Sequence, residues 1–422
     1  MELLSFNDKK PVIVFLIILT VIKLIFADTS PGNEFVHLDP WQLEEYIKSD
    51  KEPPDNLKVV IRVVTVAPEG SGWYNFIIED LFSAIGKLSN DVLVGKLYAG
   101  GVLGDEADTI RKLQMRQVHG VGVTNMGATM MVPELCVLEL PFLFDYEPEL
   151  FWNGKYTEID YVLEKVENSF AKLAIKHGYQ FGGMAETCFN FIGTKSIKIL
   201  KAEDLEKTKF WLWRGDRIRD DIIKKLGFGS VLSTDLYNVS QAMNTNMVDT
   251  TWVGYNPAVL LQWWPHINFV TDYPIFGYES ATAFFEKKMI ETVLQFALKW
   301  GHKYGIETNN LRKNFMCMLD DLITGKMRMM IRREEGKARK GLLDQGILEI
   351  HLDESEIDKL RKNVEPLYLE LADKKYPKAL LDEILVYIDE YRTLKANGEL
   401  TDEWYEKGIL PGGDQCNQWH TW

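Results

Sequence analysis

The residues of this chain most able to do chemistry are aromatic. Five of its twelve tryptophans, Trp211, Trp213, Trp252, Trp263 and Trp264, fall in one stretch, with Tyr237 and Tyr255 close by. In KFWLWRGD, strand alternation puts Trp211 and Trp213 on one face and Phe210 and Leu212 on the other. Such rings either pack between a sheet and its helices or stand as a wall at strand ends, facing the cleft where α/β sheets bind ligands. Other chemistries find no support. The seven histidines (37, 119, 177, 266, 302, 351, 420) are scattered, and neither H-E-x-x-H nor C-x-x-C occurs, so no metal site and no cofactor are expected. GGVLGDE (100–106) and GVGVTNMG (120–127) lack both the G-x-G-x-x-G pattern and a closing Gly-Lys-Ser/Thr, and read as tight turns. There is no G-x-S-x-G and no Ser-x-x-Lys, and no carboxylate pair stands out by its spacing. An extracytoplasmic hydrolase without a recognisable motif remains only as the alternative by default.

The elements that must position these residues follow an α/β rhythm. VVIRVVTVA (59–67) is a β-branched strand, APEGSG a turn, and WYNFIIEDLFSAIGKL (73–88) a helix with Trp73, Ile77, Leu81, Ala84 and Leu88 in register. VLVGKLYAGGVLG, DEADTIRKLQMRQVH (Asp105 its N-cap) and GVGVTNMG continue the pattern. It restarts after residue 178, and from about 284 to 393 it becomes long and helical. Mostly parallel α/β layers are expected. The division is 57–178 for lobe I, 179–270 for lobe II, 271–312 for a return to lobe I with a long helix, and 313–393 for C-terminal helices packing on lobe II. Residues 394–422 form a tail.

At 422 residues, 46% hydrophobic and 26% charged, the chain is globular, and its net charge of −14 gives it no electrostatic reason to bind nucleic acid or anionic lipid. Lys9-Lys10 precede the apolar segment 11–27, which is short for a membrane span and reads as a secretory signal, with an uncleaved anchor as the alternative. Export to the periplasm is expected either way, with residues 28–56 as a spacer. Four cysteines (136, 188, 317, 416) are too scattered to identify a pair.

Five segments taken together resemble one family. They are APEGSGWYN (67–75), YAGGVLGDEADTIRKLQMRQVHGVGVTN (98–125), VPELCVLELPFLFDYEPE (132–149), DLEKTKFWLWRGD (204–216) and LSTDLYNVSQAMNTNMVDTTW (232–252). In order and spacing they are similar to the solute-binding proteins of tripartite ATP-independent periplasmic (TRAP) transporters, over about residues 58–393. The resemblance implies a periplasmic-binding-protein-like α/β fold. Two lobes flank a ligand cleft, strands cross between them, and a long helix spans both. It implies a non-enzymatic protein that captures a small solute, closes, and delivers it to TRAP membrane permease subunits. A helical-repeat accessory protein is a further partner in some relatives, and the tail, with Trp404, Trp419 and Trp422, is expected to dock on its own protein or on such a subunit.

Most such proteins hold organic acids through an Arg in a segment "LKGLKIRVP" and a second in "GFR". Here Trp211 and Asn190 stand at those places, as in a less characterised branch of the family. A carboxylate buried without a paired charge costs several kcal/mol, so simple dicarboxylate uptake is disfavoured. One reading makes Trp211 a flat face for a neutral or amphipathic solute, with Asn125 and Asn190 as hydrogen-bonding groups and Trp73, Trp252 and Tyr255 as side walls. The other gives an anion contact to Arg214, Arg217 or Arg219. In RGDRIRDD three Arg face three Asp, so Arg217 and Arg219 are expected to pair on a solvated surface, leaving Arg214 as the candidate. Asp216 is expected to cap RIRDDIIKKL.

Overall fold

The structure, a computed structural model, describes residues 35–216 and 218–408. The signal or anchor segment, Arg217, Cys416, Trp419 and Trp422 lie outside the described residues.

The first sheet is organised by β2 (Leu57–Thr65), whose alternate residues Leu57, Val59, Ile61 and Val63 are buried. It pairs in parallel with β1 (Val36–Leu38), β3 (Leu93–Tyr98) and β4 (Gly120–Thr124). β11 (Tyr278–Glu286) lies antiparallel between β4 and β5 (Tyr179–Phe189). The second sheet runs β12 (Leu348–Ile350), β10 (Phe269–Thr271), β6 (Phe191–Thr194), β9 (Thr250–Val253), β7 (Lys209–Trp213), β8 (Ser230–Thr234). The expected two lobes are therefore present, with antiparallel pairs wherever a strand returns from the other lobe.

Three segments cross between the lobes. The strand 179–194 gives its first half to lobe I and its second to lobe II, so residues 179–189 do not open lobe II as expected; β5 is held along its length by β11. The return strand crosses beside it, and the two are tied at the crossing: Asn190 N–H donates to Gly277 O (2.8 Å) and Phe276 N–H to Asn190 O (3.3 Å). The third crossing is a continuous helical run, Leu311–Leu319, the π-helical Asp320–Met327, and Arg328–Asp344. It starts against β5 and ends against Tyr255–Leu260 of lobe II. The spanning helix is thus this run, later than the Lys287–Tyr304 helix, which packs on lobe I alone.

A buried ion network fixes that crossing. Arg332 donates to both oxygens of Glu186 (2.8 Å each) and to both of Asp160 (2.6 and 3.1 Å), while Arg328 donates to Asp160 (2.9 Å). All four side chains are at most 2% exposed. Removing one member of such a set strands a buried charge and is strongly destabilising.

Further expectations change at the ends. Within the supposed spacer, Val36–Leu38 is a strand and Leu43–Lys48 a helix, docked on Lys287–Tyr304 where Trp300 Nε1 donates to Tyr46 O (3.0 Å). Buried Leu43 and Tyr46 are the reason. Of the late helices, Glu354–Leu371 packs on lobe II, but Lys378–Ala396 packs on the lobe I helix Glu158–Lys176. In the tail, Asp402–Lys407 buries Trp404 completely against Tyr156, Tyr161 and Tyr391. Cys136 and Cys188 are buried, Cys136 Sγ donating to Lys375 O (3.8 Å) and Cys188 Sγ to Asn190 Oδ1 (3.3 Å).

Candidate functional site: an apolar cavity between the lobes

An apolar cavity of about 130 Å³ lies between the lobes and runs back into lobe I. Its floor is one face of the first sheet. Strand register places Thr65, Gly122, Ala283 and Gly183 side by side in one row, and Thr124, Ala281 and Ala185 in the next. Paired residues share a face and alternate residues return to it, so this face is surfaced by hydrogens, methyls and small hydroxyls. The covering helix does not close the gap. It runs Gly72–Phe76, a π turn Ile77–Leu81, then Phe82–Leu88, and Trp73, Phe76, Ile77 and Leu81 look onto the space with Ile323 and Met327 of the third crossing.

The opposite wall is aromatic. Trp213, Trp252 and Trp263 line it with Leu236, Pro257 and Leu261. Trp211 does not line it. Its ring is fully buried behind Trp252, stacked at 5.1 Å and 23°, and meets Trp263 edge-on at 5.3 Å, while its Nε1 donates to Thr234 O (3.2 Å). Trp211 and Trp213 share a strand face, and ring contacts join both to Trp252, so Trp211 becomes the backing of the wall and Trp213 its surface.

The other expected site residues divide. Trp73 and Trp252 lie on the cavity wall. Asn190, Asn125, Tyr255 and Arg214 do not. Asn190 is fully buried at the crossing and donates to Glu279 Oε2 (2.6 Å). Asn125 is buried at the start of helix Asn125–Met131, accepting from Ser280 Oγ (3.0 Å). Tyr255 has its hydroxyl on Glu349 and its N–H on Glu335. Arg214 extends into solvent, 63% exposed, near Asp235 (3.4 Å). Asn190 and Tyr255 find protein partners closer than the cavity, Arg214 reaches solvent instead, and Asn125 Oδ1 is taken by Ser280 while its Nδ2 is buried without a partner among the described residues.

Arg219 is paired, but in the core and not on a solvated surface. Its guanidinium meets Glu279 (3.0 Å), Asp216 (2.9 Å) and Glu139 (3.5 Å) and lies 4.2 Å from the Trp252 ring. Asp216 also accepts from the N–H groups of Ile218 and Arg219, but it is not the N-cap expected of it: Ile218 holds that place, two residues on. Three carboxyls around one cation make this corner acidic, and burial raises the pKa of Glu279, Arg219 only partly opposing it. Among the described residues, Glu279 is the one ionisable side chain lining the cavity, and no Lys, Arg or His does. The remaining polar lining is threonine, with Thr282 Oγ1 and Trp252 Nε1 buried without a hydrogen-bond partner.

Across the mouth the lobes touch. Trp213 Nε1 donates to Asp105 Oδ2 (3.1 Å), whose other oxygen caps helix Glu106–Gln114, as expected for Asp105. The Tyr237 hydroxyl reaches Val66 O (3.5 Å), and its ring lies against Gly101, where a Cβ would come within 2.4 Å and φ is +74°. Among the described residues no cluster of His, Cys, Asp or Glu is arranged to hold a metal ion.

Two crossing-linked α/β lobes around an apolar cavity make the fold of the periplasmic-binding-protein kind. Residues 63–251 match the family described as bacterial extracellular solute-binding protein, family 7 (DctP). Over those residues the chain is similar to the solute-binding components of TRAP transporters, a family of binding proteins and not enzymes. Solved structures with this fold include a TRAP periplasmic solute-binding protein from Xanthobacter autotrophicus Py2 with bound β-D-galacturonate. It is 16% identical with a TM-score of 0.65, over 78% of this chain and 99% of that one. Another, from Ochrobactrum anthropi, has its C-terminus in its ligand-binding pocket (17%, TM-score 0.66, 82% and 99%). A third, from Desulfovibrio salexigens, holds orotic acid (12%, TM-score 0.65, 79% and 99%). No curated protein matches the chain. Family members bind small solutes and work with membrane permease subunits. The family is periplasmic, and among the described residues no helix is long and apolar enough to cross a membrane.

Proposed function

We propose that this protein captures an amphipathic solute with a neutral head group, its apolar part filling the interlobe cavity. The carrying observation is the lining: indoles, aliphatic side chains and threonine hydroxyls, with a buried carboxyl and no cation. The solved relatives hold galacturonate, galactonate, gulonate and orotic acid. An anion of that kind would meet Glu279 and the acidic corner behind it with no cation facing it, which supports a different cargo here. Trp252 offers an unpartnered N–H for the polar end.

Capture proceeds by lobe closure. A ligand shifts the open–closed balance only through its extra affinity for the closed form, and moving it from 1:99 to 99:1 takes about 5.5 kcal/mol. At about 0.8 kcal/mol per buried methylene, that corresponds to roughly seven methylenes shielded on closing. Trp213–Asp105 and Tyr237–Val66 are the contacts that read the closed state. Export and attachment through segment 11–27, and transfer to the permease by way of a helical-repeat accessory protein, belong to the same proposal: an apolar cargo is better handed on by contact than released into water.

Native mass spectrometry of freshly purified protein tests this reading. The expected result is a co-purified neutral amphiphile whose re-addition raises the melting temperature as RT ln(1 + [L]/Kd). A released sugar acid or dicarboxylate would overturn it.

A further inference from the structure

Lobe I contains a second apolar cavity, of about 60 Å³, between β2–β3 and the helices Phe82–Leu88, Lys287–Tyr304 and Leu311–Leu319. It stands end to end with the interlobe cavity. Along β2 the lining passes from Val63 in the first to Ile61 in the second, two residues on the same face, about 7 Å apart. Along the covering helix it passes from Leu81 to Ile85, one turn further. A single side chain lines both: Phe285.

That ring is fixed. Phe285 pairs with Gly120 on β4, and a Cβ at Gly120 would come within 2.7 Å of it; on β5, a Cβ at Gly182 would come within 2.8 Å. Two strands on either side thus give up their side chains to seat one aromatic ring, which is 3% exposed. A group held this way is a wall, not a swinging gate.

We propose that Phe285 is the length-determining residue of the binding site. It ends the space open to an unbranched alkyl tail, and the cavity behind it is a tail pocket closed to the native ligand. The inference rests on the reading of the interlobe cavity as an amphiphile site and adds the residue that selects tail length.

The test is a series of straight-chain primary alcohols, hexanol to hexadecanol, titrated into the full chain with calorimetric or fluorescence readout. Wild-type affinity rises about fourfold per methylene up to a cutoff and then stops rising. Phe285→Ala moves the cutoff to longer chains by several carbons, and Ile290→Trp added to it, which fills the rear cavity, moves the cutoff back. If Phe285→Ala does not fold, Phe285→Leu carries the same test with a smaller shift. Ala283→Leu, in front of the ring, moves the cutoff to shorter chains. Folded Phe285 variants with the wild-type cutoff would overturn the length role while leaving the amphiphile reading intact. A wild-type protein that binds no alcohol in the series would overturn both.

Discussion

The two walls of the cavity are built on opposite plans. In lobe II, Trp211, Trp213, Trp252 and Trp263 stack into a solid layer with ring centroids 5.1–6.4 Å apart. In lobe I, the facing sheet carries Gly122, Ala185, Ala281 and Ala283, and the space above them is left empty. Large rings make one surface rigid, and small residues make room opposite it. The part of the site that sets the cargo's shape is therefore the part with the least conspicuous side chains. The rings serve chiefly to hold Trp213 and Trp252 still, because a wall that yielded would lose the differential contact on which closure depends.

Mutation separates the two plans. Trp211→Ala removes a fully buried indole from the stack and is expected to cost about 3–5 kcal/mol of stability, read as a lowered urea midpoint with unchanged slope. If Trp211 were a ligand contact instead, affinity would fall while the midpoint held. Ala281→Leu is the reverse experiment. It fills ligand space rather than emptying core, so affinity for the co-purified amphiphile falls by about a hundredfold while stability changes by no more than about 1–3 kcal/mol. Loss of stability without loss of binding would mean that the hollow is a packing fault and not a site. Trp213→Phe keeps the ring area but drops the bond to Asp105 across the mouth, at about 1.5 kcal/mol, roughly a tenfold loss of affinity with the open form unaffected.

The same contrast explains what could be read from the sequence. Two lobes, the early strands and helices, and the Asp105 cap follow from hydrophobic period and turn residues, which are local. The strand-crossing scheme and the late spanning helix are family features, and the residue at which a strand passes from one sheet to the other is set by tertiary pairing. At the site, Trp73 and Trp252 were identifiable because large rings near strand and helix starts stand out. Trp211, one residue pair away from Trp213 on the same face, differs from it only in how deep β7 lies at that point, which alternation does not encode. Asn125, Asn190 and Tyr255 are polar groups whose partners, Ser280, Glu279 and Glu335, are 80 to 155 residues away. Ala281 and Ala283 carried a signal, an alternation of small residues in YESATAFFE, but smallness marks a void only once the opposite layer is known.

Each lobe also buries one carboxyl at the start of a helix, and these give the gentlest test of whether the two halves titrate alike. Glu106 accepts from the N–H and hydroxyl of Thr124 in lobe I, and Glu335 accepts from the N–H groups of Tyr255 and Asn256 in lobe II. Both are completely buried, and burial pushes each up to about 8 against those donors. In the unfolded chain each returns to about 4.3. Between those values the folded protein holds a proton that the unfolded chain has lost, so the stability tied to each carboxyl is full below about 4.3 and is lost as pH rises through about 8. From pH 7 to pH 8 that is about 1 kcal/mol for each group. Urea midpoints measured at the two pH values should fall in the wild type, other buried carboxyls such as Glu139 and Glu167 adding to the fall, and Glu335→Gln and Glu106→Gln should each lessen it by about 1 kcal/mol, whatever constant offset the amide brings. A wild-type midpoint that rises over this interval would mean that both carboxyls are already ionised, held by their helix-start donors, and that burial in the two lobes is outweighed by those bonds.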